Sequence, residues 1–101
     1  MSAVDVVATI VAKPGRGDAV AAVLADALDS VRAETGCLRY DLFRVRRDDE
    51  TLVMVEQWAS KEDLRAHGSS EQFAALSARM APELAEAPVV RVLDPVRRVA
   101  T

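Results

Sequence analysis

The fold turns on residues 37–58, CLRYDLFRVRRDDETLVMVEQW. Its two ends alternate apolar and polar residues with a period of two, which is the pattern of half-buried strands. In the first run Leu38, Tyr40 and Leu42 are expected on one face, with Arg39, Asp41 and the larger Phe43 on the other. In the second run Leu52, Met54, Glu56 and Trp58 share one face, and Val53, Val55 and Gln57 the other. Between them RRDDE is polar and charged and makes the turn, so the pair reads as a β-hairpin with apolar side chains on both faces. Each face therefore needs something to cover it.

Working outward, residues 4 to 12, VDVVATIVA, form a short Val/Ile-rich strand ended by Lys13, Pro14 and Gly15. From about residue 16 to 33 Val20, Val23, Leu24, Ala27, Leu28 and Val31 recur every three or four residues, giving one amphipathic helix. Gly36 stands where a C-terminal cap is expected. Downstream of the hairpin, Ser60 and Asp63 form a capping box for a helix over roughly 61–67. Gly68 breaks it, and Ser69 or Ser70 caps a second run carrying Phe73, Leu76, Met80 and Leu84, with a break expected near residue 81 because of Pro82. A last strand lies in PVVRVLDP, bracketed by Pro88 and Pro95. The order βαββαβ, in a single domain over 1–101, predicts an α+β ferredoxin-like plait: an antiparallel sheet with helices on one face. The other face is too apolar for water, and a second copy of the chain is its economical cover, so a homodimer is expected.

Composition excludes several classes. The 13 basic and 16 acidic residues are interspersed, and the only basic cluster, Arg44, Arg46 and Arg47, is answered at once by Asp48, Asp49 and Glu50. No face tracks a phosphate backbone, so no nucleic-acid partner is expected. No window approaches the ~20 apolar residues of a membrane span, and Asp5 interrupts the apolar N-terminal stretch, so neither a membrane partner nor a signal peptide is expected. A cytoplasmic location follows as the expectation. One Cys and one His, thirty residues apart, do not make a metal site. VAKPGRGDAV lacks both the Walker lysine and GxGxxG spacing.

The chain has four aromatic residues and one His, so each bears weight. His67, three positions beyond Leu64 at the end of a short helix, suits either a dipole-stabilised helix terminus or a proton-transfer group at a pocket mouth. Trp58 suits packing or a ligand platform, and the short connection from 59 to 66 holds it near His67. Tyr40 suits sheet packing or a ligand contact. Glu56 interrupts an apolar face and needs a partner, such as an arginine or backbone N–H groups. Cys37 reads as a small buried hydrophobe.

The ordered set VVATIVAKPGRGDAV, ETGCLRYDLFRV and TLVMVEQWASKEDLRAH, with Phe73 beyond, resembles the antibiotic biosynthesis monooxygenase domain family. The likeness is to its small stand-alone bacterial members grouped with quinol monooxygenases, over about residues 4 to 95. The resemblance implies a dimeric α/β barrel with a pocket between each sheet and its helices. It also implies oxidation of a quinol, anthrone or phenol by molecular oxygen, with neither metal nor cofactor. His67 would then transfer a proton or stabilise an anion, and Trp58 would orient the substrate, both as catalytic residues. Tyr40, Met54 and Phe73 would line the wall. Haem-degrading relatives carry an asparagine on the first strand; this chain has no asparagine, and Thr9 is the polar residue in its place. Haem degradation is thus the minor enzyme reading, and a non-catalytic dimer that binds an aromatic metabolite is the alternative of another class.

Overall fold

The computed structural model describes residues 2–98. Its elements run β1 (Val4–Val11), α1 (Gly17–Arg32), β2 (Cys37–Arg44), β3 (Thr51–Trp58), α2 (Lys61–Gly68), α3 (Glu71–Met80), a single 3₁₀ turn at Ala81–Glu83, and β4 (Val89–Leu93). The four strands form one antiparallel sheet in the order β2-β3-β1-β4, the ferredoxin-like arrangement expected from the element order. No helix of the described residues is long and apolar enough to cross a membrane.

Strict alternation fixes which face meets the helices. Along β1 and β3 every second residue is buried: Val4, Val6, Ala8 and Ile10, then Leu52, Met54, Glu56 and Trp58. Onto them α1 lays Val20, Leu24, Ala27 and Val31, and α3 lays Leu76 and Met80. Fully burying each of the larger aliphatic side chains is worth about 1.5–3 kcal/mol before entropy is counted. The remaining side chains point to the opposite face, where Phe43, Val89 and Leu93 are exposed. Val7, Val53 and Val55 are only half-covered there.

The reading of β2 needs one correction. A β-bulge lies between Cys37 and Arg39, which pair with consecutive residues Trp58 and Gln57. The extra residue is Leu38, which is 58% exposed instead of joining Tyr40 on the inner face. Cys37 takes the inner position opposite Trp58 and packs at the edge of the core.

Caps account for most element boundaries. Ser60 accepts a hydrogen bond from the Asp63 N–H, and its hydroxyl donates to the Asp63 carboxylate. Ser70, not Ser69, caps α3 by accepting from the Phe73 N–H. Pro82 ends α3 in the 3₁₀ turn, as expected near residue 81. Helix α1 is capped at its C-terminus by Ala33, so Gly36 serves the following turn instead. Its φ of +78° is one that a side chain disfavours, and a Cβ there would stand 2.1 Å from Asp63 Oδ2. The end of α1 and the start of α2 are thereby pressed together. At the other end of α1 the Glu50 carboxylate, from the hairpin turn, accepts from the backbone N–H groups of Gly15 and Gly17. The glycine segment that lacks a phosphate-binding motif thus holds an anion from its own chain.

Candidate active site

Between the inner face of the sheet and helices α2 and α3 lies a cavity of about 140 Å³. Val6, Ala8, Ile10 and Met54 floor it from the sheet, Leu24 closes it from α1, and Phe73, Leu76 and Met80 roof it from α3. Exposed Gly68, Pro88 and Val90 mark its mouth. Four polar side chains reach this largely apolar space: Tyr40, Glu56 and His67, and Ser77 from α3.

His67 is held on every side. Its ring is 4% exposed. It stacks on Trp58 at a centroid distance of 4.6 Å and meets Tyr40 and Phe73 edge-on at 5.7 and 5.1 Å. Nδ1 lies 2.9 Å from Glu34 Oε1, and the other carboxylate oxygen of Glu34 accepts from the Gln72 side-chain amide. A carboxylate acceptor places the proton on Nδ1, so the neutral ring presents a lone pair at Nε2. Nε2 has no protein partner among the described residues, where no fully enclosed side-chain N or O atom is unpartnered. Nε2 therefore opens to the cavity that His67 lines.

The same reasoning applies to two neighbours. Glu56 Oε1 accepts a 3.0 Å hydrogen bond from Trp58 Nε1, leaving Oε2 toward the cavity. The Trp58 indole, rather than an arginine or the backbone, is the partner this buried carboxylate needed. Burial pushes the Glu56 carboxyl above its ordinary range, against the opposing pull of the indole bond and His67. Tyr40, the cross-strand partner of Glu56, has no hydrogen-bonded hydroxyl among the described residues. Burial, then the charges of Glu56 and Glu34, push its phenol far up, so the hydroxyl stays protonated and can donate.

The expected site residues separate into three groups. Tyr40, Met54, His67 and Phe73 come together around the cavity. Trp58 is fully buried behind His67 and does not line the cavity, so the substrate-orienting role expected for it is replaced by support of the His67 ring and of Glu56. Thr9 is a correction. It pairs with Val53 and Val89 on the opposite face of the sheet, because odd-numbered residues of β1 point away from the helices. Glu34 and Gln72, on which the orientation of His67 depends, are not candidates from the sequence. They lie 33 and 5 residues from His67, and no local repeat links all three.

The sheet and helices that carry this cavity are shared with known proteins. Residues 3–79 match the family model described as antibiotic biosynthesis monooxygenase. The chain belongs to the antibiotic biosynthesis monooxygenase family. Among its relatives is "Putative monooxygenase Rv0793" of Mycobacterium tuberculosis, 32% identical over 95 residues, which are 94% of this chain and 93% of the relative. The solved structure of Rv0793 superposes with a TM-score of 0.87, covering 98% of this chain and 100% of its own. PA3566 from Pseudomonas aeruginosa also superposes at 0.87, with 31% identity, over 96% of this chain and 97% of the relative. Family membership accords with a monooxygenase-like function.

Proposed function

We propose that the protein is a cofactor-independent monooxygenase that oxidises a small electron-rich aromatic, a quinol, anthrone or phenol, with molecular oxygen. The observation that carries this reading is the Glu34–His67 pair, whose free Nε2 faces an apolar cavity. Nε2 takes the phenolic proton, and Glu34 stabilises the imidazolium that forms. The resulting phenolate is a strong enough reductant to pass an electron to oxygen, and recombination of the radical pair gives a peroxide on the ring carbon. For a hydroquinone the balance closes without any other reductant: hydroquinone plus O₂ gives a hydroxyquinone and water. One oxygen atom enters the ring, the other leaves as water, and all four electrons come from the substrate. Tyr40 donates a hydrogen bond to the developing oxyanion, and the apolar walls keep bulk water from the charged intermediates. A porphyrin is far larger than the cavity, and Thr9 faces away from it, which weighs against haem degradation.

The assembly we propose is a homodimer through the outer face of the sheet. Phe43, Val89 and Leu93 are each more than 40% exposed on that face, a patch that a second copy would cover. Light scattering on the wild type should give the dimer mass, and Phe43→Asp should shift it toward the monomer.

Oxygen uptake by metal-stripped protein with a hydroquinone tests the activity. Enzyme-dependent uptake above autoxidation is expected, falling about a hundredfold or more in His67→Ala, since a general base contributes roughly 10²–10⁴. Uptake unchanged in that variant, with circular dichroism showing it folded, would remove His67 from the mechanism. No uptake with any phenol or quinol would favour a binding protein for an aromatic metabolite.

A further inference from the structure

We propose that this cavity selects a single aromatic ring with a hydroxyl at one end and an apolar substituent at the other, and excludes fused three-ring phenols. The assignment narrows the substrate class of the site read above as an oxygenase, and rests on that reading only for its link to turnover.

Size is the first argument. The cavity holds about 140 Å³, close to the engineered cavity of roughly 150 Å³ that stays dry and takes benzene in another protein. One ring with a short substituent fills this space. A fused three-ring skeleton does not fit unless the sheet and α3 separate, and both are tied to the core by buried side chains on either side of the cavity: Met54 from the sheet, Leu76 and Met80 from α3.

Polarity is the second argument, and it orients the ring. The polar atoms lie together at one end. Tyr40 and Glu56 are direct cross-strand partners on β2 and β3, and the His67 ring lies 5.7 Å from that of Tyr40. Toward the other end are Ala8, Ile10, Leu24 and Met80, and the only polar side chain lining the cavity beyond the Tyr40–Glu56–His67 group, among the described residues, is the small hydroxyl of Ser77. A ligand that is polar throughout would leave unpaired groups against these residues, and a fully apolar one would leave Nε2 of His67 and the Glu56 carboxyl unsolvated. An alkylphenol or alkylhydroquinone satisfies both ends.

Binding measured by calorimetry under nitrogen separates this assignment from turnover. Ethylhydroquinone should bind wild-type protein at least about tenfold more tightly than either ethylbenzene or hydroxyanthracene. Tyr40→Phe should weaken ethylhydroquinone several-fold while leaving ethylbenzene unchanged. Ala8→Val adds methyl groups into the cavity, and should weaken ethylhydroquinone without loss of thermal stability. Hydroxyanthracene binding as tightly as ethylhydroquinone would overturn the size assignment, and ethylbenzene doing so would overturn the polar end. Failure of all three ligands to bind would overturn the proposal whole. Admitting air then tests the other reading: tight binding of ethylhydroquinone without enzyme-dependent oxygen uptake would discard the oxygenase function and keep the ligand class.

Discussion

Replacing Glu34 by glutamine tests whether the carboxylate behind His67 works by charge or only by shape. The amide oxygen that Glu34→Gln introduces can still accept from His67 Nδ1 at the observed 2.9 Å, so the ring should keep its orientation. What changes is that a hydrogen bond to a charged acceptor, worth about 1.5–3 kcal/mol, becomes a neutral one worth about 0.5–1.5. The bond from Gln72 suffers too, because the new amide presents a donor to a donor unless it is turned. Together the two losses come to about 2 kcal/mol. In a domain of this size each kcal/mol lowers the melting temperature by about 4–8 °C, so a fall of about 8–16 °C is expected by calorimetry. The effect on chemistry should be larger, since the imidazolium formed on proton transfer loses its counter-charge while sealed from water. We expect kcat for oxygen uptake to fall about 10²–10⁴-fold, with KM changed little because Glu34 does not line the cavity. A variant with the expected melting temperature and wild-type kcat would refute the argument that Glu34 polarises His67.

Three further perturbations probe other parts of the molecule. Glu56→Gln keeps the acceptor for Trp58 Nε1 and removes a carboxyl whose ionisation burial opposes. A raised folded-state pKa means the Glu56 contribution is fully present below the unfolded value and is lost as pH rises through the folded one. The variant should therefore gain in melting temperature relative to wild type at about pH 8 but not at about pH 4, and an equal effect at both would contradict the assigned cause. Gly36→Ala, at a positive φ with Asp63 Oδ2 2.1 Å from the new Cβ, should cost about 1–3 kcal/mol and lower activity with it, by moving Glu34 from His67; unchanged melting would show the turn to be adaptable. Glu50→Ala leaves the Gly15 and Gly17 N–H groups without their carboxylate and should cost about 1–3 kcal/mol by denaturant titration, with kcat for oxygen uptake unaltered.

The strands and helices are legible because each buried face is written in one local period. Two for β1 and β3, and 3.6 for α1, survive intact in the burial pattern. Leu38 escapes because a bulge breaks the period without any residue that announces it. Thr9 is a candidate only through the resemblance, which points to a position on the first strand, while the alternation of VDVVATIV already turns that position outward. The neighbourhood of Trp58 and His67 is legible as proximity, but not which of the two meets the cavity: both share the buried side, and only their stacking order decides. Glu34 is invisible as a site residue because its reach to His67 depends on the Gly36 turn closing α1 against α2, a contact across 33 residues that leaves no mark in either segment alone.

The stack of Trp58 on His67 also makes the molecule its own optical instrument. There is one tryptophan in the chain, so every photon of indole emission originates 4.6 Å from the imidazole. A protonated imidazole quenches an excited indole by accepting an electron far better than a neutral one does. Emission intensity thus reports the charge of a single ring with no label attached, and under the proposed mechanism a phenol handing its proton to that ring should announce itself as a drop in fluorescence before any oxygen is consumed.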